Sequence, residues 1–198
     1  MKPATWLACC AAAVALGFPV PAFAHPHVFV DNRVSFGFAD GKVTSVGMHW
    51  QFDEIFSDEL LLTFDADGDG AFDELESNAL AEGVLPNLAQ FHYFTYVYLD
   101  GKLLDPIAPA EFVANAADRV VSFRMQVPLP QPVDPKTQSL ALEVNDREYY
   151  VAIELSEQEP VALVNADGLD CGATVREDHE NAYFGGYVYP QEIALQCR

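Results

Sequence analysis

Basic residues are scarce in this chain of 198 residues. Ten lysines and arginines stand against 30 aspartates and glutamates, which gives a formal net charge of -20. Nucleic-acid binding needs a positive surface that neutralises phosphates, so this charge balance excludes nucleic acid as a partner. It also argues against docking on anionic lipid. Hydrophobic residues still make up 51% of the chain, enough for a buried core, and the acidic excess favours cations as ligands.

Long apolar runs are scarce as well. The run over residues 6–18 is shorter than the roughly 20 residues that span a bilayer. Lys2 precedes this run and Ala22-Phe23-Ala24 follows it, a pattern typical of a cleavable secretory signal peptide. We therefore predict a signal peptide at residues 1–24, a periplasmic or secreted location, and no direct membrane insertion after cleavage. A retained membrane anchor is the alternative.

Cysteine is the third scarce residue. Two of the four cysteines lie in the predicted signal peptide, which leaves Cys171 and Cys197. An isolated pair in an oxidising compartment usually forms a disulfide, and we predict one here. The alternative, two thiolate metal ligands, lacks the CxxC spacing of such sites.

Hydrophobic periodicity predicts an α+β fold. Alternating apolar residues predict strands over residues 28–38 and 43–52, and helical stripes follow over 53–64 and 73–90. Beyond residue 93 the pattern is that of short strands separated by turns. The prediction is an N-terminal β-hairpin, an EF-hand-like helix-loop-helix, and a β-rich, sheet or sandwich-like C-terminal part. The predicted regions are 25–92 and 93–198.

An acidic loop separates the two predicted helices. Its acidic residues and glycines have the spacing of an EF-hand calcium loop, in which carboxylates and one backbone carbonyl supply six oxygen ligands. A solvated acidic turn is the alternative. Because EF-hands that sense calcium usually come in pairs, a single loop predicts a structural Ca²⁺ ion. The predicted ligands are Asp65, Asp67, Asp69, Ala71, Asp73 and Glu76.

Histidines near the predicted cleavage site suggest a second metal. Cleavage after Ala24 makes His25 the first residue, so its amine and imidazole can chelate together. If the hairpin turn has three residues, His27 pairs with Asp53 and Asp31 with His49. Imidazole with carboxylate suits Zn, Ni, Co or Cu. The alternative is a frayed terminus with solvated histidines.

Three sequence stretches resemble one family. They are His25-Pro26-His27 with its flanks, Trp50-Gln51-Phe52-Asp53-Glu54, and Tyr93-Phe94-Thr95 followed by Asp100-Gly101-Lys102. In this order they are similar to domain-of-unknown-function family 1007. The resemblance implies a periplasmic protein associated with nickel/cobalt or zinc transport. It also implies metal contacts at His25, His27, Asp53 and Glu54, to which the predicted hairpin register adds His49.

The predicted function follows from these features. It is an exported metal-binding protein, an accessory component of divalent transition-metal transport with a structural calcium site, and a membrane metal transporter is the expected partner. The alternative is a calcium-stabilised β-rich interaction module that docks on an envelope transporter and binds no transition metal. A metalloenzyme ranks last, because the sequence has no HExxH, nucleophile elbow or phosphate-binding glycine loop.

Overall fold

The computed structural model describes residues 26–105 and 107–198. The predicted signal peptide and His25 lie outside these residues. Within them, regular structure consists of eleven strands, two α-helices and two short 3-10 helices, His92–Phe94 and Phe184–Gly186. The helices are α1 (Glu54–Phe64) and α2 (Glu74–Ala89). The strands are β1 (Val28–Ala39), β2 (Lys42–Phe52), β3 (Thr95–Leu99), β4 (Lys102–Leu103), β5 (Glu111–Ala117), β6 (Val120–Val133), β7 (Leu140–Val144), β8 (Val151–Leu155), β9 (Val161–Val164), β10 (Cys171–Glu177) and β11 (Gln191–Cys197).

The strands form two sheets. The six-stranded sheet has the order β5-β6-β2-β1-β8, and β9 pairs with β1 beyond the end of β8. The pairing of β1 with β8 and β9 is parallel, whereas its pairing with β2 is antiparallel. The five-stranded sheet has the order β10-β11-β7-β3-β4. The six-stranded sheet therefore combines strands from both of the regions predicted from the sequence.

The two sheets and the helices share one apolar core. Alternate residues of β1 and of most of β6 are buried, as the sequence periodicity requires. Trp50 and Phe36 come from the six-stranded sheet, Leu142 and Ile193 from the five-stranded sheet, and Leu80 from α2, and each is at most 2% exposed. Among the described residues, no helix is long and apolar enough to cross a membrane.

The turn between β1 and β2 has two residues, so the predicted register is wrong. Ala39 pairs with Lys42, and Asp40 and Gly41 both have positive φ, as the two central positions of a type I′ hairpin turn require. A bulge after Gly37 adds a further shift. The predicted and observed registers differ by two residues in the middle of the hairpin, which preserves the predicted inward faces but changes every cross-strand partner.

Each helix is anchored to the six-stranded sheet by a buried serine. Asp53 caps the N-terminus of α1, and a capping box of Asp73 and Glu76 begins α2. Ser57 Oγ of α1 accepts a hydrogen bond from Val121 N of β6 (3.0 Å), next to the last residue of β6 that pairs with β2. Ser77 Oγ of α2 accepts one from Ala114 N (2.9 Å) on the edge strand β5. Both helices thus complete the hydrogen bonding of the sheet.

The predicted fold class was wrong. Both helices lie where the sequence placed them, but the chain is mostly β, and the N-terminal hairpin forms the middle of a sheet. The helix pair is not supported as an EF-hand unit, because α1 and α2 are each hydrogen-bonded to strands of the same sheet instead of forming an independent module. The prediction failed because periodicity shows which residues face a core but not which distant strands pair.

Candidate metal-binding sites

The loop between α1 and α2 wraps around the Asp65 carboxylate. Its Oδ1 accepts hydrogen bonds from Gly68 N (2.8 Å) and Asp69 N (3.2 Å), and its Oδ2 accepts one from Gly70 N (2.9 Å). Gly68 and Gly70 have φ of 74° and 83°, a region that favours glycine. These contacts, led by the hydrogen bond from Gly70, lower the pKa of Asp65, so this carboxylate is held ionised.

Glu76 links the two ends of the same loop. Its Oε1 accepts a hydrogen bond from Ala66 N (2.7 Å), and its Oε2 accepts one from Asp73 N (3.0 Å). One carboxylate oxygen each from Asp65, Asp67 and Glu76 lies within 4.8 Å of the other two. A hard cation with oxygen ligands, such as Ca²⁺, fits between oxygens at such separations.

The acidic residues of this loop repel one another, and this repulsion favours a bound cation. The hydrogen bond from Asp69 N lowers the pKa of Asp67, but the neighbouring charges of Asp69, Glu76 and Asp65, together with burial, raise it overall. Such mutual repulsion favours a bound cation. Three of the six predicted calcium ligands therefore converge. Of the others, Asp69 accepts a hydrogen bond from Ala71 N, and Asp73 caps α2.

The described residues that were predicted to bind a transition metal do not form a cluster of three ligands. His27 precedes β1, where its ring stacks on Tyr150 at a centroid distance of 4.8 Å. His49 lies opposite Arg33, and Glu54 is exposed in the first turn of α1. Among the described residues, no three side chains of this predicted set come within coordinating distance of one another.

Both oxygens of Asp53 are occupied by backbone donors. Oδ1 accepts from Phe56 N (2.9 Å), which caps α1, and Oδ2 accepts from Phe29 N (2.7 Å). Asp53 N also donates to Phe29 O (3.0 Å). Asp53 therefore joins the end of β2 to β1 and starts α1, and these contacts account for its presence without a metal.

His49 lies in a positively charged setting. It is paired with Arg33 on β1 and with Arg124 on β6. Burial lowers the pKa of His49, the charges of Arg33 and Arg124 lower it further, and Asp31 opposes them. The predicted pairing of His49 with Asp31 was wrong, because Asp31 lies opposite Gln51. Two neighbouring guanidinium groups disfavour a cation at His49.

The predicted disulfide is confirmed. Cys171 and Cys197 lie directly opposite each other at the ends of β10 and β11, and their sulfurs are bonded. This link closes a loop with a sequence separation of 26 residues. It agrees with an oxidising compartment.

A second group of carboxylates was missed by the sequence analysis. Glu143, Asp178 and Glu192 each place one oxygen within 4.8 Å of the other two. Burial, followed by the hydrogen bond and charge of Asp178, raises the pKa of Glu143 to about 7. The signal in the sequence is small: one glutamate interrupts the apolar strand β7, and its two partners come from distant segments.

Comparison with known proteins identifies relatives of this chain. Residues 10–194 match the family described as "Protein of unknown function (DUF1007)". The chain is 34% identical to an "Uncharacterized 15.5 kDa protein in trpE 3' region" of Spirochaeta aurantia, over 66% of this chain and 93% of that protein. It is 26% identical to an "Uncharacterized protein" of Haemophilus influenzae, over 88% of this chain and 91% of that protein.

Proposed function

Because the chain belongs to the DUF1007 family of proteins of unknown function, we propose its role from its own side chains: an exported protein that binds calcium at the loop between α1 and α2. The observation that carries this proposal is the convergence of Asp65, Asp67 and Glu76 within 4.8 Å. The disulfide between Cys171 and Cys197 supports export.

The loop supplies the chemistry that calcium prefers. Carboxylate oxygens of Asp65, Asp67 and Glu76 would hold the ion, with Asp69, Asp73 and the Ala71 carbonyl available as further ligands when it binds. The role of the ion would be structural. It would cancel the repulsion among the carboxylates of a loop whose two flanking helices are anchored to one sheet. An ion that binds only the folded state stabilises that state by mass action.

Calcium-dependent melting tests this proposal. At a free Ca²⁺ concentration 100 times the dissociation constant, mass action adds about 2.7 kcal/mol, which raises Tm by about 5–10 °C for a chain of this size. Asp67→Asn should remove most of this gain. Asp40→Asn is the matched control, since it removes one exposed aspartate from a turn that also accepts asparagine. Equal calcium-induced shifts in wild type and in Asp67→Asn would refute calcium binding at the loop.

A role in transition-metal transport is a second, separate proposal. It is supported by His27, which is exposed beside β1 directly after His25 and Pro26. In this proposal, the terminal amine and imidazole of a processed chain bind Ni, Co, Zn or Cu and present the ion to a membrane transporter. Titration of protein that begins at His25 tests it. One extra residue before His25 should weaken binding, and an affinity unchanged by both this extension and His27→Ala would refute it.

A further inference from the structure

Three acidic side chains meet on the face of the five-stranded sheet opposite the apolar core. Leu142 and Val144 of β7 point into the core, so Glu143 between them points away from it. Glu192 of β11 lies directly opposite Glu143, and Asp178 follows the last residue of β10. We propose that Glu143, Asp178 and Glu192 form a second divalent-cation site, of the oxygen-liganded class that includes calcium and magnesium.

The burial of this cluster distinguishes it from an ordinary acidic surface. Glu143 is 1% exposed and Asp178 is 5% exposed. Glu143 Oε2 is fully buried, and no hydrogen-bond donor among the described residues reaches it. Burying an ionised oxygen without a partner carries a large free-energy penalty, so native proteins pair such atoms with donors or metals. The unpartnered oxygen points to a ligand that is bound at this place.

The strand register brings like charges together. Glu143 and Glu192 are cross-strand neighbours, an arrangement that is destabilising unless a positive charge lies between or beside them. Arg176 neutralises one charge through a two-pronged contact, Nε to Glu192 Oε1 at 2.8 Å and Nη2 to Oε2 at 2.9 Å. The positive charge of Arg147 also acts on Glu143, but more weakly. When all three carboxylates are ionised, the one directly paired guanidinium leaves two negative charges, which a divalent ion balances.

Asn181 holds the cluster in position. Its Nδ2 donates to Asp178 Oδ2 at 2.9 Å and approaches Glu143 Oε1 at 3.4 Å. Asp178 Oδ1 accepts a further hydrogen bond from Glu180 N at 2.8 Å, so the loop after β10 carries this carboxylate to the sheet. The ligands are thus oriented before any ion binds. The rival explanation is a proton shared between Glu143 and Asp178, in which case no cation binds here.

Counting bound ions separates these explanations. Purified mature protein is dialysed at neutral pH against radioactive calcium, and bound equivalents per chain are measured for wild type, Glu143→Gln and the loop variant Asp67→Asn. Glu177→Gln is the control, because it removes an equal charge from an exposed residue next to Asp178. If Glu143→Gln does not fold, as judged by circular dichroism, Asp178→Asn supplies the same measurement.

The expected result is two equivalents in wild type and Glu177→Gln, and one in Glu143→Gln. The ion that remains in Glu143→Gln should disappear in the double variant with Asp67→Asn. A wild-type count that Glu143→Gln leaves unchanged would overturn the buried site. A single ion lost only in Asp67→Asn would overturn it while leaving the proposed function intact. A single ion lost only in Glu143→Gln would support the buried site and overturn calcium binding at the loop.

Discussion

Replacing Asp53 tests whether this residue is a structural link or a metal ligand. Asp53→Ala removes an N-cap, which is worth about 1 kcal/mol, and a charge-assisted bond from Phe29 N, which is worth about 1.5 kcal/mol or more when buried. Asp53 is only half-buried, so water replaces part of the second contact. We expect a loss of about 2 kcal/mol, which lowers Tm by about 4–8 °C for a chain of this size.

Two further variants separate the contributions of the two Asp53 hydrogen bonds and control for the loss of a negative charge. Asp53→Ser keeps a capping oxygen for Phe56 N, but its side chain is too short to reach Phe29. It should therefore lose only about half of the free energy of unfolding that Asp53→Ala loses. Glu54→Ala removes a neighbouring exposed carboxylate that has no such contacts and should change Tm little. The assay is urea denaturation followed by circular dichroism, in the presence of a chelator. An Asp53→Ala protein as stable as Glu54→Ala, or a loss seen only with added transition metal, would refute the structural explanation.

Three other perturbations follow from the structure. Ser77→Ala leaves the Ala114 N–H without a partner and should destabilise the protein by about 1–3 kcal/mol in urea denaturation, whereas exposed Thr63→Ala should have little effect. Removing the disulfide by replacing Cys171 and Cys197 with serine should lower unfolding free energy by about 3 kcal/mol, and unchanged denaturation would contradict this estimate. The folded state lowers the pKa of His49, so the unfolded chain takes up this proton first and stability falls as pH drops below about 6.5. The stability of the His49→Gln variant should fall less steeply with acidification, as measured by denaturation at several pH values.

Local structure could be predicted from this sequence because its signals are local. Apolar stripes placed both helices, and alternation placed both strands of the hairpin. The structure adds the cap at Asp53 and the capping box of Asp73 and Glu76 at the helix starts. The fold class could not be predicted in the same way. The parallel partners of β1 lie over 120 residues later in the chain, and nothing in the periodicity of β1 indicates them.

The candidate sites differ in the same way, because one is local in sequence and the others depend on strand pairing. The loop at 65–76 is contiguous, so spacing alone pointed to an acidic loop, and three of its five predicted carboxylates converge. The predicted histidine–aspartate pairs depended on a hairpin register, and a two-residue turn with one bulge was enough to separate them. The buried cluster depends on three strands meeting in one sheet, so it becomes visible only when β7, β10 and β11 are seen side by side.

The position of β1 between β2 and the late strands β8 and β9 has a consequence for folding. The hairpin is local and can close early in folding, but the outer edge of β1 has no strand partner until residues 151–164 reach it. An unpaired strand edge invites pairing with other chains. A folding intermediate in which only the hairpin has formed is therefore open to aggregation through this edge, and a chaperone that binds exposed strands would protect it.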